Sequence, residues 1–340
     1  MGYLKKIIGL FVMACALVMV VGCENSDKTI AEKIADGETV EIGILQISTH
    51  EALDDARRGF VDALEDAGYK DNDNITITIM NPEGDDSIKV SQATSLVRDS
   101  DLVLGIATPA ATALQNAANQ EQIDLPILFT AVTDPVGAAL VTSNEVPGAN
   151  ITGTNDMNPV KEQVELAKEL MPEMTKMGII YNINEDNSLV QAQLAKAAAE
   201  EQGIEVEIKT VNNSASEITP TANALISDGC QVIYVPTDNL MASNMPAIIS
   251  ATEPEQVVTS CGCDSMVTDG GTLSYSIDYY NLGKLTGEMA VKIIEGEDTA
   301  TMAVGSLDTE DLKIVLNRQS LSTMGIIVPQ SIEDRISAQN

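Results

Sequence analysis

Short polar segments rich in Thr, Asn, Asp and Pro follow the predicted β-strands of this 340-residue chain. In open parallel sheets, ligands bind outside the carboxyl ends of the strands. These segments therefore predict a cleft for a small ligand. The candidate ligand-binding residues are Gln46, Thr49, His50, Thr108, Pro109, Ala131, Asp134, Thr154, Tyr181, Asn187, Ser188, Thr237, Asp238, Asp264 and Asp278.

The residue types in these segments suit a small zwitterion. The predicted helix starts at Pro109 and near Ser188 present N–H groups and a partial positive charge, which favour a carboxylate. Tyr181 could stack on an apolar or aromatic side chain of the ligand. The carboxylates that could receive an ammonium group through charge-assisted hydrogen bonds are Asp238, Asp264 and Asp278. In the alternative interpretation, these polar residues only cap helices and close turns.

The sequence offers little for catalysis. His50 is the single histidine, so a Ser–His or Cys–His pair would have to use it. No G-x-S-x-G, no G-x-x-x-x-G-K-[ST] and no G-x-G-x-x-G after a strand occurs in the sequence. His50 is either a cleft residue or a surface residue at a helix start. The chain is predicted to be a binding protein without a cofactor, not an enzyme.

Cysteine spacing gives only a weak indication of a metal or redox site. Cys261 and Cys263 form one C-x-C pair with no histidine nearby, whereas a closed zinc site needs four ligands. We interpret both cysteines as small buried residues at a strand end and Cys230 as a core residue. The sequence therefore predicts no metal site.

The elements that must position these residues alternate between strand and helix. Short β-branched runs predict strands at 40–47, 75–80, 102–107, 126–130, 177–181, 204–211, 232–235, 271–277, 302–305 and 313–316. Helical spacing of apolar residues predicts helices at 51–67, 87–97, 109–118, 188–202, 216–226 and 279–294, with a small helix from Asn317. Ser87 is the predicted N-cap of the second helix. Strands that alternate with helices imply parallel sheets with right-handed crossovers.

The pattern of strands and helices starts again in the second half of the chain. Gly43 and Gly178 are separated by as many residues as Gly68 and Gly203. Two units of matching length predict an α/β fold of two lobes, each with its own parallel sheet. We expect the chain to cross between the lobes near residues 154, 278 and 307. Lobe 1 would contain residues 39–154 and 279–306, and lobe 2 residues 155–278 and 307–340.

The N-terminal residues indicate export. Lys5 and Lys6 precede an apolar run at 7–21, which is the pattern of a signal peptide over residues 1–22. The run ends in Val20-Val21-Gly22-Cys23, which resembles the site where bacterial lipoproteins are acylated and cleaved. Cys23 is therefore the predicted lipidation site, and residues 23–38 a lipid anchor and polar tether. The alternative is an ordinary secretory signal with a chance cysteine.

Composition excludes several classes of protein. The apolar fraction is 44%, which excludes a wholly disordered chain, and the formal net charge is −32. Such a charge repels phosphate backbones, so nucleic-acid binding is not expected. Copies of so negatively charged a protein repel one another, which favours a monomer that binds a small ligand.

Several segments resemble one known family. They are residues 44–46, 50–54, 58–60, 107–110, 129–137 (FTAVTDPVG), 150–154, 159–163, 181–182, 234–239 (YVPTDN) and 277–280. Together these segments resemble the substrate-binding lipoproteins of ABC importers in the tryptophan/tyrosine-uptake group. The resemblance covers about residues 40–300, and the 129–137 and 234–239 runs are its most specific parts.

The resemblance implies a type I periplasmic-binding-protein fold, with two Rossmann-like lobes joined by three hinge crossings. It implies an aromatic amino acid as the ligand, a lipid anchor in the membrane, and an ABC permease and ATPase as partners. Relatives often carry an acidic pair after the strand that ends near Ser260. This chain has Cys261-Gly262-Cys263-Asp264 there, which leaves one carboxylate.

Two other functions remain open at this point. The same scaffold could bind a different small ligand or serve a sensor in place of a transporter. The chain could also be an extracytoplasmic hydrolase that uses His50.

Overall fold

The computed structural model describes residues 28–308 and 312–339, so the predicted signal peptide and Cys23 lie outside the described residues. The described chain contains two β-sheets. The strand order of the first sheet is β2-β1-β3-β4-β5, and its neighbouring strands run parallel. These strands are β1 (Val40–Gln46), β2 (Ile75–Met80), β3 (Leu102–Ile106), β4 (Ile127–Val132) and β5 (Ile151–Asn155).

The second sheet has the order β11-β10-β9-β8-β6-β7. Its strands are β6 (Lys176–Asn182), β7 (Glu205–Val211), β8 (Val232–Val235), β9 (Val258–Cys261), β10 (Leu273–Ser276) and β11 (Lys313–Leu316). The edge strand β11 pairs antiparallel with β10, and the other neighbours are parallel. The prediction of parallel sheets therefore holds except at this edge.

Helices accompany each sheet. Those of the first sheet are α1 (Ile30–Asp36), α2 (Glu51–Asp66), α3 (Asp86–Asp99), α4 (Thr108–Glu121) and α11 (Tyr279–Ile294). Those of the second are α5 (Val160–Leu170), α6 (Asp186–Glu201), α7 (Ile218–Ser227), α8 (Asn239–Ser243), α9 (Met245–Thr252), α10 (Asp264–Thr268), α12 (Arg318–Thr323) and α13 (Gln330–Ala338). We call the first sheet and its helices lobe 1, and the second sheet and its helices lobe 2. The predicted α/β fold of two lobes is confirmed.

The inner strands of lobe 1 are covered on both faces. Every residue of β3 and β4 is buried. A parallel strand buried on both faces requires a continuous apolar run, and LVLGI and ILFTAV largely meet this requirement. Because the strands are parallel, their carboxyl ends meet at one edge of the sheet.

The chain connects the two lobes three times. It leaves lobe 1 after β5, returns between β10 and α11, and leaves again between Gly305 and β11. Gly305 forms an isolated bridge with Thr154. The predicted strand at 302–305 is otherwise not formed, and the residues around the predicted first crossing at 154 form the edge strand β5.

Helices α2 and α11 approach closely in lobe 1 because glycine lies at their contact. A Cβ atom at Gly59 would collide with the carbonyl oxygen of Tyr280, and one at Gly283 would collide with that of Ala56. This packing fixes the start of α11, which follows a lobe crossing, against the helix that begins after His50.

The segment predicted as a polar tether contains helix α1. Thr29 and Glu32 form a capping box at its start. Lys33 then forms an ion pair of 2.6 Å with Asp101, so α1 is docked on lobe 1. Within residues 28–308 and 312–339, no helix is long and apolar enough to cross a membrane.

The start of α3 differs from its prediction. Asp85, not Ser87, is the N-cap, because its Oδ1 accepts the backbone N–H groups of Ser87 and Ile88 at 2.9 Å. A carboxylate at this position satisfies two donors of the first turn, whereas Ser87 already lies inside the helix.

Candidate ligand-binding site

A cavity lies between the two lobes at the carboxyl ends of their strands. Lobe 1 contributes residues that follow β1, β3 and β4, and lobe 2 contributes residues that follow β6, β8 and β9. The lining residues are His50, Ala52, Leu53, Ala107, Ala131, Thr133, Asp156, Asn187, Thr237, Asp238, Asn239, Ala242, Cys263, Met266 and Tyr279. The position of the cavity is the one expected for a ligand site in parallel α/β sheets.

The two lobes touch directly around this cavity. His50 Nε2 lies 3.4 Å from Asn239 Oδ1, and Gln191 Nε2 lies 3.4 Å from Thr133 Oγ1. The Ser243 hydroxyl lies 3.4 Å from the Ser48 hydroxyl. Each pair joins one residue of lobe 1 to one of lobe 2, so the structure shows the cleft in a closed arrangement.

Asp238 provides a buried carboxylate on the lobe 2 wall. Its Oδ2 accepts the backbone N–H of Asn182 at 2.7 Å, and its Oδ1 accepts that of Met241 at 2.9 Å. Burial raises the pKa of Asp238 well above its ordinary value, and the nearby carboxylate of Glu185 raises it further. The two backbone bonds fix the orientation of this carboxylate before any ligand arrives.

Glu185 holds the start of α8 beside Asp238. Its Oε2 accepts the backbone N–H of Asn239 at 3.0 Å and the side-chain Nδ2 of Asn239 at 2.6 Å. Its Oε1 accepts the backbone N–H of Leu240 at 3.2 Å. Glu185 therefore sets the orientation of the Asn239 amide, and the sequence analysis did not single it out.

Asp156 provides a second buried carboxylate, at the first crossing between the lobes. Its Oδ1 accepts the Thr133 hydroxyl at 3.1 Å, and its Oδ2 accepts the Tyr279 hydroxyl at 2.8 Å. Asn158 Nδ2 donates to the Tyr279 oxygen at 3.2 Å. Burial raises the pKa of Asp156, because the charged form loses its hydration.

Asp156 and Tyr279 were not among the predicted site residues. Asp156 lies two residues after 154, where the first crossing was predicted, and Tyr279 directly follows the predicted candidate Asp278. In the sequence, only these two positions pointed to Asp156 and Tyr279 as site residues. Only the packing of α11 against the first sheet brings the two side chains together.

The lobe 1 wall contains backbone in a conformation that is rare for residues other than glycine. Ala107, at the start of α4, has φ of 81°, and Ala131, in β4, has φ of 54°. The pairing of β4 with β5 shifts its register between Phe129 and Val132, around Ala131. Such strain is typical of functional sites, because the surrounding structure must hold it in place.

His50 is the N-cap residue of α2, but its side chain forms no capping hydrogen bond and faces the cavity. Burial lowers the pKa of His50 from 6.5 to about 4, so the ring is neutral at pH 7. Its Nδ1 atom is buried and has no hydrogen-bond partner among the described residues. Of the two positions that the sequence left open for His50, the structure places it in the cleft.

The structure brings five of the predicted site residues to the cavity: His50, Ala131, Asn187, Thr237 and Asp238. Asn187 donates its Nδ2 to the Thr237 carbonyl oxygen at 2.9 Å, and its Oδ1 is buried without a partner in the described part of the chain. Ala131 is the penultimate residue of β4, and the other four follow the carboxyl end of a strand.

Other predicted residues of lobe 1 lie beside the cavity. Gln46 donates to Asp54 Oδ1 at 2.8 Å, and the Thr49 hydroxyl donates to Glu83 at 2.6 Å. Asp134 accepts the Gly137 N–H and so closes a turn. Thr108 and Pro109 lie in the first turn of α4. Thr154 lies in the interior of lobe 1, where its hydroxyl is hydrogen-bonded to those of Thr130 and Thr286.

The remaining predicted residues of lobe 2 have structural contacts. Tyr181 packs in a hydrophobic cluster of lobe 2, away from the cavity, and Ser188 is buried in the first turn of α6. Asp278 caps α11 by accepting the Asn281 N–H at 3.0 Å, and it pairs with Lys313. Asp264 is the first residue of α10, and burial raises its pKa to about 6. Asp278 therefore caps a helix, as the alternative interpretation of the polar residues predicted.

The cysteines of the described chain are buried and form no disulfide. They are Cys230, Cys261 and Cys263. Burial raises the pKa of Cys230 to about 11 and that of Cys263 to about 12, so neither is a thiolate at pH 7. In the described ranges, no group of three or more His, Cys, Asp and Glu could hold a metal ion.

Comparison with known proteins identifies the family. Residues 41–338 match the model of the family described as ABC transporter substrate binding protein. The chain belongs to this family. The substrate-binding protein is also 37% identical to the "Tyrosine-binding protein" of Clostridioides difficile (strain R20291), over 98% of this chain and 99% of that protein. The resemblance drawn from the sequence is thereby confirmed.

Two solved structures bear on the conformation. The ABC domain in complex with L-Trp from Streptococcus pneumonia is 38% identical, with a TM-score of 0.82, over 87% of this chain and 98% of that one. A ligand-free, open substrate binding protein with adhesive properties from Clostridium difficile is also 38% identical, with a TM-score of 0.65, over 85% of this chain and 96% of that one. At equal sequence identity, the structure of this substrate-binding protein is more similar, by TM-score, to the Trp complex than to the ligand-free, open protein. The predicted type I periplasmic-binding-protein fold is confirmed.

Proposed function

We propose that this substrate-binding protein captures an aromatic L-amino acid between its lobes and delivers it to an ABC permease that a separate ATPase drives. Lobe 1 would consist of residues 39–154 and 279–306, and lobe 2 of residues 155–278 and 307–340. The protein would act as a monomer, with no cofactor and no nucleic acid.

The buried carboxylates of Asp156 and Asp238 carry this proposal. Both line the cavity, and neither forms an ion pair with a lysine or arginine of the described residues. A buried charge without a partner is costly, which is why burial raises both pKa values. The ammonium group of an amino acid would supply the missing positive charge through charge-assisted hydrogen bonds.

The rest of the lining favours an aromatic side chain. Leu53, Met266 and the ring of Tyr279 provide apolar surface in the same cavity as the carboxylates. Aromatic rings gain from contact with methionine sulfur and with other rings. The names of two relatives agree with this, since one is a tyrosine-binding protein and the other was solved with L-Trp.

Closure of the lobes would couple binding to transport. A ligand that contacts His50 of lobe 1 and Asp238 of lobe 2 stabilises the closed form over the open one. Only the closed form would present both lobes to the permease in the correct relative position. The ligand would then be released when the transporter forces the lobes apart.

The protein would work outside the cytoplasm, held to the membrane by a lipid on Cys23. This follows from the signal-peptide and acylation-site patterns of the N-terminal residues. Residues 23–38 would then form the anchor and tether. Within this segment, α1 docks on lobe 1 through the ion pair of Lys33 with Asp101.

We infer a role in binding without turnover. The side chain of His50 lies against the amide of Asn239 at 3.4 Å, and burial lowers its pKa to about 4. A general base should instead have a pKa near the working pH and a nucleophile within hydrogen-bond reach. This geometry favours His50 as a contact for the ligand over the hydrolase alternative.

Calorimetric titration of the mature chain tests the proposal. The protein is first unfolded and refolded to remove any carried-over ligand, then titrated with the common L-amino acids, with sugars and nucleosides as controls. We expect heat of binding with tyrosine, tryptophan or phenylalanine and none with the controls. Asp156→Asn should weaken the binding by at least about tenfold, because hydrogen bonds to charged groups contribute roughly 1.5–3 kcal/mol.

The exposed Asp269 provides the matched control, since Asp269→Asn removes an equal charge from lobe 2 outside the cavity. It should leave the affinity unchanged. If no aromatic amino acid binds, or if Asp156→Asn binds like the wild type, the proposal is wrong.

A further inference from the structure

His50 presents an unsatisfied acceptor to the cavity. It stands immediately before α2, so its ring is carried next to Ala52 and Leu53, which line the cavity from the same helix. Its Nδ1 atom is fully enclosed and has no partner in the described part of the chain. A buried polar atom without a partner is rare, and here it belongs to a residue that lines the space that a ligand would fill.

The hydrogen bonds around Asn239 determine which ring nitrogen carries the proton. Glu185 accepts a hydrogen bond from Asn239 Nδ2 at 2.6 Å, which turns Asn239 Oδ1 toward His50. Because that oxygen can only accept, His50 Nε2 must donate to it across 3.4 Å. A neutral imidazole has one donor and one acceptor, so Nδ1 carries a lone pair.

Burial keeps the ring neutral at pH 7, because it lowers the pKa of His50 to about 4. The acceptor therefore needs an N–H or O–H group from the ligand. The ammonium group is assigned by the proposed function to the carboxyl groups of Asp156 and Asp238. His50 shares its part of the cavity lining with the apolar side chains of Ala52 and Leu53, which suit the side chain of the ligand and not its charged end.

We propose that His50 Nδ1 accepts a hydrogen bond from a donor on the aromatic ring of the ligand, so that the site selects tyrosine or tryptophan over phenylalanine. This inference rests on the proposed function and refines its ligand class. The phenol O–H and the indole N–H share the required chemistry. Phenylalanine fills the same space but leaves Nδ1 unpaired, which a buried site penalises strongly.

Ligand pairs that differ only in the ring donor test the inference on the unaltered protein. Calorimetry at pH 7 compares tyrosine with phenylalanine, and tryptophan with benzothienylalanine, in which sulfur replaces the indole N–H. We expect the donor to improve the affinity at least about tenfold in one of the two pairs, and that pair identifies the ring that the site accepts. Equal affinity within both pairs overturns the inference.

Substitution of His50 then assigns the effect. His50→Phe removes the acceptor and should reduce the affinity ratio of the selective pair to near one, whereas His50→Gln keeps an acceptor and should retain part of the ratio. Glu65→Gln, exposed on α2 and outside the cavity, is the control and should leave the ratio unchanged. A ratio that survives in His50→Phe overturns the inference. If none of the three aromatic amino acids binds the wild type, the proposed function itself has failed.

Discussion

The two walls of the cavity differ in charge and in preorganisation. The lobe 2 wall contains Asp238, whose two oxygens are held by backbone N–H groups, with Glu185 beside it. The described lining residues of lobe 1 carry no carboxylate, and there His50 Nδ1 lacks a partner. We propose from this difference that lobe 2 and the hinge bind the charged end of the ligand. Lobe 1 then completes the site around the ring.

The largest effect is expected at the charged wall, from Asp238→Asn. The new amide would turn its NH2 group toward one of the two backbone N–H groups from which Asp238 accepts hydrogen bonds. That buried N–H would then lack an acceptor. We expect the free energy of unfolding to fall by about 1–3 kcal/mol and the affinity for every aromatic amino acid to fall by about 100-fold. Urea denaturation measures the first effect and calorimetry the second.

The comparison of the walls adds a condition to this prediction. Under the proposed function, Asp238 binds the charge that all amino acids share, so the ratio of the affinities for tyrosine and phenylalanine should not change in Asp238→Asn. A changed ratio would show that the lobe 2 wall also contacts the ring of the ligand. The assignment of the charged end to lobe 2 and the ring to lobe 1 would then be wrong. Asp269→Asn controls for the loss of one charge from lobe 2.

The sequence could predict the strand ends but not the faces to which their side chains turn. His50 and Asp238 follow strands, and topology alone places both at the cleft. Tyr181 also ends a strand, but neighbouring residues in β6 face opposite sides of the sheet. Ile180 therefore joins the cluster that extends to lobe 1, and Tyr181 the cluster on the other face.

The buried carboxylates were harder to foresee. Asp156 lies beside residue 154, where the sequence predicts only a crossing between the lobes, and its burial depends on α11, which follows more than a hundred residues later. Glu185 acts through the start of α8, which is distant in sequence as well. Desolvation is a property of tertiary packing, so no local pattern reports it. The order of strands and helices, in contrast, depends on local apolar periodicity and was predictable.

A smaller effect, of opposite sign, is expected where the two walls meet at Asp264. This residue begins α10 of lobe 2, which contacts α2 of lobe 1. Burial is the main cause of its raised pKa, and the charges of Asp278 and, less strongly, of Glu51 at the start of α2 add to it. Closure thus brings like charges together and excludes water from Asp264. Asp264→Asn should improve the affinity by about tenfold at pH 7.5, since one unit of pKa shift corresponds to a factor of ten.

The pH dependence of this gain follows from the raised pKa of Asp264. Between its ordinary value of 3.8 and about 6, the closed form binds more protons than a form with Asp264 exposed. Closing is therefore hindered fully above pH 6 and progressively less as the pH falls toward 4. Calorimetry should show the largest advantage of Asp264→Asn above pH 6 and none near pH 4. A loss of affinity in this variant would instead make Asp264 a contact for the ammonium group.

The smallest effect is expected from the direct contacts between the walls. The Ser243 hydroxyl lies 3.4 Å from that of Ser48 and 3.5 Å from the Thr49 carbonyl oxygen, near the limit for hydrogen bonding. Ser243→Ala should change the affinity for the ligand by less than about threefold, as measured by calorimetry. A loss of tenfold or more would mean that contacts between the lobes, and not the ligand, hold the cleft closed. A ligand can shift the equilibrium only by its differential affinity for the two forms, so strong direct contacts would leave the closed form populated without ligand. Weak contacts at Ser243 are therefore what a receptor needs if its closed form is to report an occupied site.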